Sequence, residues 1–506
     1  MQSSDKTIAI IGAGPAGLVC ARWLRQHGYA PVLLEACAGL GGQWNAANPA
    51  SATWPGMRTN TSRIMSAFSD LDHGAEVPTY PSREQMLAYL ERYAARFDLV
   101  RGIRFGTRVE RLEEAGGGAW RVHTRGGGTA RAETFRHVIV ATGAQAAPAV
   151  PRVAGLHGFA GQLGVAHTSQ YDGAARYRGR SVLVAGCSIS ALEIAADLAS
   201  GGAEVIAAYR RQRYILPKLI AGVPAEHAMF NRAAALAGEV LPVDALAAGL
   251  KAAVVRAGGR PDQFGALAPD ADIFAAGVSQ SQGFLPAVAE GRIVVKPWID
   301  RIEGREVIFQ DGTRAAPDAI LFGTGYGLSL PWLDKKHAEI LQFDGSGIDL
   351  YARTFHPDLP GLAFMGLYNL VGPYLPVLEL QARLIAYTLT GQAILPERER
   401  MEAAIAASRT MRARGQQPVL HDLAIMLARA AGVEPTLSRW PRMERALLFG
   451  PLSPVSFRLE GPDRLEDAAA RTLGAARAFG AIGCDEFTQE ERQLRALVTT
   501  SASIAA

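Results

Sequence analysis

Cysteine is scarce in this chain: four among 506 residues, Cys20, Cys37, Cys187 and Cys484. They form no Cys-x-x-Cys, and no Cys/His spacing matches a zinc ligand set, which argues against a disulfide scaffold, a redox dithiol and structural zinc. Charge of a single sign is scarce as well. Lys and Arg number 52 against 48 Asp and Glu, a net charge of +4 with no block of five like charges, so neither nucleic acid nor an anionic membrane surface is an expected partner. No apolar stretch is long enough to span a bilayer, so no membrane anchor is expected. The opening Met-Gln-Ser-Ser-Asp-Lys lacks the charged and apolar regions of a secretory leader, and a cytoplasmic location is the expectation.

What is plentiful is glycine, 54 residues, gathered at strand-to-helix turns rather than in a low-complexity run. Thr7–Ile11 is an apolar run of the kind buried in a parallel sheet. Gly12-Ala13-Gly14-Pro15-Ala16-Gly17 follows, then Leu18, Ala21, Trp23 and Leu24 at helical spacing, then a second apolar run, Pro31–Leu34, ending in Glu35. This is a strand–GxGxxG–helix–strand–acid unit. Gly12 allows the tight turn, Gly14 lets the backbone approach a pyrophosphate, and Gly17 lets helix and strand pack. The helix N-terminus offers N–H donors to phosphates. Glu35, 23 residues beyond Gly12, stands where a carboxylate accepts from ribose hydroxyls. Small residues in Gly41-Gly42-Gln43-Trp44 let the chain run close to a flavin. The Gly42–Asn48 segment has no cysteine and Cys37 no neighbouring partner, so thiol–disulfide exchange is not expected.

The pattern then repeats. Ser181–Ala185 is an apolar strand, Gly186-Cys187-Ser188-Ile189-Ser190-Ala191 opens a helix, and Glu204–Tyr209 is the second strand. It ends in Arg210-Arg211, with Arg213 close by, where the first unit has Glu35. A guanidinium binds a ribose 2′-phosphate that a carboxylate would repel, so this unit is expected to take NADP(H), with Arg210 and Arg211 on the phosphate. Ser188 replaces the second glycine, and its hydroxyl is expected to bond a phosphate. Two further strand ends, Val138–Gly143 and Ala319–Tyr326, run into small-residue turns that mark passages between two nucleotide-binding domains. Elsewhere the pattern is scaffold: a capping box at Ser82–Gln85 ahead of a helix with Met86, Leu90, Tyr93 and Phe97 on one face, glycine turns at 116–118 and 126–128, and an Asp311-Gly312 hairpin. The Ala-rich segment 222–289 reads as helices within or upon the NADP domain, near a substrate entrance.

These features resemble the flavin-containing monooxygenases, the class B flavoprotein oxygenases. The resemblance runs along nearly the whole chain through Gly12–Gly17, Gly41–Trp44, Thr59-Asn60-Thr61-Ser62, Gly186–Ala191, Gly323–Tyr326, Glu379-Leu380-Gln381, Phe449–Pro454 and Phe457–Pro462. The family fingerprint FxGxxxHxxx[YF] is present in Phe159, Gly161, His167 and Tyr171, with five residues between Gly161 and His167 where the family has three. Tyr171 resembles the N/S-oxygenating branch, whereas the Baeyer–Villiger branch usually has tryptophan. Ile189 stands where some bacterial members have a tyrosine. His167 reads as a structural linker residue.

The resemblance implies an α/β fold of two Rossmann-like domains, the NADP domain inserted into the FAD domain: residues 1–165, then 166–325, then 326–506 with a C-terminal helical region. It implies FAD and NADPH as cofactors, a small nucleophilic substrate and O2 as partners, no metal, and a possible homodimer. The implied reaction passes hydride from NADPH to FAD, forms a C4a-hydroperoxyflavin under the shelter of retained NADP⁺, and transfers its distal oxygen to a soft nitrogen or sulfur. Asn60 matches the family's active-site asparagine. The expected cofactor contacts are Gly12, Gly14, Pro15, Ala16, Gly17, Glu35, Gly42, Gln43, Trp44, Asn60, Thr61, Gly143, Tyr171, Gly186, Ser188, Ser190, Ala191, Arg210, Arg211, Thr324, Gly325 and Gln381. No protein base or covalent nucleophile is required, in keeping with the absence of a triad motif. The alternatives are Baeyer–Villiger oxygenation, oxygenative decarboxylation of an α-keto acid, and an NADPH oxidase.

Overall fold

The structure, a computed structural model, describes residues 6–502. Its first sheet is fully parallel, in the order Ile103–Arg104, Ala30–Leu34, Thr7–Ile11, His137–Val140, Leu362–Phe364. The second is also fully parallel: Ile293–Pro297, Glu204–Tyr209, Ser181–Ala185, Ala319–Phe322, Gly164–His167. Strands covered on both faces are apolar along their length, and Ile8, Ile10, Val182 and Val184 are fully buried. Strand Gly164–His167 belongs wholly to the second sheet, so the boundary expected after residue 165 falls inside a strand.

Register decides what meets at the sheet edges. Ile11 pairs with both Leu34 and Val140, so the residues that follow, Gly12, Glu35 and Ala141, emerge side by side. Ala185 pairs with Ala208 and Phe322, which does the same for Gly186, Tyr209 and Gly323. The chain crosses from the first sheet to the second and back along neighbouring paths, joined where Tyr326–Gly327 pairs antiparallel with Ala147–Pro148.

The local punctuation follows the residues. Ser82 accepts from the Gln85 N–H at 3.3 Å while the Gln85 side chain accepts from Ser82 N–H at 2.8 Å, starting the helix Arg83–Arg96. Three antiparallel strands, Thr107–Gly116, Ala119–Gly126 and Thr129–Phe135, turn at the two glycine clusters. Segment 222–289 carries the helices Ala225–Met229, Arg232–Val240, Val243–Gly258, Ile273–Ala276 and Phe284–Ala289.

The helix Leu375–Leu389 packs on Pro15–Gln26 and is buried from Leu375 to Tyr387. Charges so placed must be paired. Glu379 accepts from the Ser69 N–H at 2.7 Å, Arg458 reaches Asp70 at 2.8 Å, Arg22 reaches the other Asp70 oxygen at 2.6 Å, and Arg383 donates to the Phe457 carbonyl at 2.7 Å. The guanidiniums of Arg22, Arg383 and Arg458 lie 4.3, 5.0 and 4.8 Å from the Trp23 ring, where cation–π attraction adds to the pairing. This cluster ties the C-terminal region to the first helix of the chain. Arg458→Met is expected to destabilise the protein by about 3 kcal/mol or more, because it strands buried carboxylates; an unchanged urea midpoint would show that the cluster contributes nothing.

Candidate active site

A cavity of about 1830 Å³ runs along the carboxyl ends of both sheets. This is where open parallel sheets bind ligands, at the point where strand order reverses.

At its first end lie Gly12, Gly14, Pro15, Ala16, Glu35, Gly42, Gln43, Trp44 and Gly143. The helix Pro15–Gln26 has Gly14 as its N-cap, no side chain capping it and no acid in its first turn, so its leading N–H groups and positive dipole end are left for an anion. Gly12 has φ +107°, and a Cβ there would stand 2.6 Å from the Ala141 carbonyl oxygen, so no other residue fits this turn. A Cβ on Gly42 would come within 3.0 Å of the Gly14 Cα, so two backbone segments form the wall without side chains between them. Glu35 accepts from Ala13 N–H at 2.7 Å and Cys37 N–H at 2.8 Å, which fixes its carboxylate at the strand end. The buried Thr142 hydroxyl, also on the wall, has no partner among the described residues. These residues fit a dinucleotide: an open cradle, free donors, an orphaned hydroxyl and a placed carboxylate.

The second end repeats the arrangement with Gly186, Ser188, Ser190, Thr324 and Gly325. The helix Ile189–Ser200 again lacks a side-chain cap and a first-turn acid. The Ser188 hydroxyl donates to the Gly323 carbonyl at 2.8 Å and so spans the two strand ends. Arg210 and Arg211 are exposed on the wall, and among the described residues neither has a carboxylate partner. Arg210 is stacked at 4.8 Å on the Trp298 ring, which orients it. The buried Ser279 hydroxyl on this part of the wall has no protein partner.

Four expected contacts lie off the cavity. Gly17 and Ala191 are packing positions behind the two turns. Tyr171 is buried and donates to Asp197 at 2.6 Å, and its ring packs against Trp54 and Tyr177, so it braces the second domain. Gln381 is fully buried. Its amide donates to Arg353 O, Thr354 Oγ1 and Phe364 O at 2.8, 2.9 and 3.0 Å and accepts from Gly366 N–H at 3.2 Å, so it positions the loop whose Gly366 lines the cavity. His167 bridges to the Gly325 carbonyl at 3.1 Å, in the linker.

Asn60 and Thr61 lie on the wall as well. The segment is pinned on both sides of Asn60: Thr59 N–H to Pro81 O at 2.9 Å, Thr59 Oγ1 to Thr61 O at 2.7 Å, Thr61 Oγ1 to Ser66 Oγ at 2.8 Å. The half-buried Asn60 amide makes no side-chain hydrogen bond among the described residues. It is a fixed and unspent donor.

A family model described as flavin-binding monooxygenase-like matches residues 5–500. The chain belongs to that family. It is 29% identical to rat dimethylaniline monooxygenase [N-oxide-forming] 2, with 98% of this chain and 95% of the relative covered. Human flavin-containing monooxygenase 2 is 28% identical, with 98% and 93% covered. Among solved structures, S-allyl-L-cysteine S-oxygenase from Allium sativum has a TM-score of 0.64 at 22% identity, covering 98% of each chain. Cyclohexanone monooxygenase in its open form has a TM-score of 0.62 at 20% identity, covering 84% of this chain and 97% of that one. The protein is therefore a flavin monooxygenase using FAD and NADPH, with O2 and a small molecule as its other reactants.

Two cysteines, Cys37 and Cys187, line the monooxygenase cavity. Burial, then the neighbouring Glu35, raises the Cys37 pKa, and burial pushes the Cys187 thiol up to about 11, so both are thiols at neutral pH. Among the described residues, no group of three or more His, Cys, Asp or Glu could hold a metal ion, and no helix is long and apolar enough to cross a membrane. Sequence reasoning missed Glu226, which reaches the wall from the 222–289 segment, and Trp298 beneath Arg210. A legible signal existed for part of that wall: Ala234, Gly238, Leu241, Ala245, Gly249 and Ala253 recur three or four residues apart and all line the cavity. Replacing both Arg210 and Arg211 with Ala is expected to raise the KM for NADPH on the order of 100-fold, two charge-assisted bonds' worth, with little effect on NADH. An unchanged NADPH/NADH preference, measured by steady-state kinetics with both donors, would remove these arginines from the 2′-phosphate.

Proposed function

We propose that this monooxygenase transfers oxygen to a soft nitrogen or sulfur nucleophile, with FAD on the Gly12–Gly17 unit, NADPH on the Gly186–Ala191 unit, and Asn60 between them. Bound FAD and NADPH supply the two electrons and the activation of dioxygen. The chain's own part is to hold the two cofactors through the free N–H groups in the first turns of the helices Pro15–Gln26 and Ile189–Ser200, to exclude water, and to present the Asn60 amide. An amide N–H donates a hydrogen bond without offering an acidic proton, so it steadies an oxygen atom without expelling it.

The observation that carries the choice of nucleophile is the charge around Asn60. An oxidant that attacks a ketone must be anionic, and an anion needs a nearby cation. The cavity's arginines Arg108, Arg210, Arg211 and Arg213 lie on other segments. Arg58 and Arg63, which flank Asn60, do not line the cavity and donate to the Tyr80 and Val77 carbonyls. Glu226 and His227 are ionisable groups tied to the Asn60 segment at Ser62, Glu226 accepting from its N–H at 2.5 Å and His227 Nε2 lying 3.0 Å from its hydroxyl. Burial favours the uncharged forms of both, so neither sets a cation beside Asn60, and without one a neutral, electrophilic oxygen donor is favoured. The N-oxide-forming and S-oxygenating names of the relatives support the same reading.

A panel of tertiary amines, thioethers and cyclic ketones, with product identified by mass spectrometry, tests it. N-oxides or sulfoxides should form, and turnover confined to lactones would overturn the reading. Asn60→Leu should keep FAD bound and NADPH oxidised while product per NADPH falls roughly 100-fold, the cost of one preorganised donor. Normal product per NADPH in that variant would dismiss Asn60 from the chemistry.

A further inference from the structure

Behind Asn60 three stretches of chain meet that are far apart in sequence. Ser62 belongs to the pinned segment, Glu226 and His227 to the helix Ala225–Met229 of the second unit, and Phe479 to the C-terminal region. The Ser62 N–H donates to Glu226 Oε1 at 2.5 Å, and Ser62 Oγ lies 3.0 Å from His227 Nε2. The Phe479 ring stands edge-on to His227 at 5.3 Å and lies 5.9 Å from the Arg63 guanidinium. Ser62, Glu226 and His227 are each at most 1% exposed. Phe479 is held at φ +60°, a left-handed conformation that costs a non-glycine residue roughly 1–2 kcal/mol. Such strain persists only where surrounding contacts over-determine it.

The junction is also incompletely satisfied. Glu226 Oε2 and His227 Nδ1 are buried without a hydrogen-bond partner among the described residues. A core built only for stability would close these bonds or replace both groups with apolar ones. Burial holds the Glu226 carboxyl above its ordinary pKa and pushes the His227 imidazole down to about 4, so both favour their uncharged forms. What the two side chains do instead is grip one residue, two positions beyond Asn60, from another domain.

We infer that Glu226 and His227 are positioning residues: through Ser62 they lock the Asn60 segment to the NADPH-side domain, so that the Asn60 donor is in register only while the two domains are docked. The inference rests on the reading of Asn60 given above. Its consequence concerns coupling. With the grip intact, electrons from NADPH appear in oxygenated product. With the grip broken, Asn60 drifts, and the same electrons leave as hydrogen peroxide, NADPH, H⁺ and O2 giving NADP⁺ and H2O2. Flavin reduction, which does not need Asn60, continues.

The test uses the full-length, FAD-loaded enzyme and an amine or thioether that it oxygenates. Glu226→Ala and His227→Ala should raise the fraction of NADPH recovered as hydrogen peroxide roughly tenfold, the loss of one buried hydrogen bond. FAD content and the anaerobic rate of flavin reduction by NADPH should stay within about twofold of the parent, which a general loss of structure would not allow. Glu226→Gln keeps an acceptor for Ser62 N–H and should restore coupling. Adding Glu226→Ala to Asn60→Leu should produce no further leak, since both changes remove one function. If neither alanine variant retains FAD, Ser62→Ala, which deletes only the hydroxyl that meets His227, reads the same quantity. Tight coupling in the FAD-loaded alanine variants beside a leaking Asn60→Leu enzyme would overturn the junction alone. Tight coupling in Asn60→Leu itself would overturn the reading of Asn60 beneath it. A leak in Glu226→Gln equal to that of Glu226→Ala would overturn the hydrogen-bond account.

Discussion

Two helices, Pro15–Gln26 and Ile189–Ser200, begin on one cavity with no side chain capping their first N–H groups and no acid in their first turns. Uncapped donors at a helix start call for a partner, and among the described residues no side chain supplies one. The rest of the molecule follows from keeping these two ends open and aimed at a shared space. The parallel registers bring Gly12, Glu35 and Ala141 to one edge and Gly186 and Gly323 to another. Paired crossings at 147–148 and 326–327 hold the edges together. The domain arrangement is thus a device for placing two dinucleotides against one another.

The chemistry asked of the chain is slight, and its side chains reflect this. Burial holds the Cys37 and Cys187 thiols above their ordinary pKa, no metal cluster exists among the described residues, and the Asn60 amide is free of side-chain partners among them. What the chain supplies is position. Ser188 ties one strand end to the next, Gln381 fixes the Gly366 loop from inside a helix, and Trp298 orients Arg210. Buried polar groups with full partners rigidify in this way because the low dielectric makes any displacement expensive. The Ser62–Glu226–His227 junction belongs to the same class, with the difference that two of its atoms are left without partners.

The C-terminal region takes its place in this scheme through charge. Arg458, in a stretch that carries no evident chemistry, meets Asp70 and the Glu379 side of the Leu375–Leu389 helix, and stacks near Trp23. Phe479 reaches the junction behind Asn60. A region that looks like an appendage in the linear sequence therefore braces both the first helix and the active-site segment.

How much of this was legible beforehand divides along a physical line. Local pattern determined the strands Thr7–Ile11 and Ser181–Ala185, the two glycine turns, Glu35 against Arg210, the Ser82 capping box and the glycine hairpins, because each depends on backbone conformation or charge within a few residues. Family resemblance added the domain order and Asn60. Tertiary structure alone decided what depends on distant partners. Tyr171 was drawn to Asp197 and Gln381 to the loop at Gly366, off the cavity wall where the family resemblance had led them to be expected. The Ser188 hydroxyl met the Gly323 carbonyl, 135 positions away. Glu226 came to Ser62 from 164 positions away. A polar side chain takes the partner that folding brings within 3 Å, and no pattern in the sequence encodes that distance.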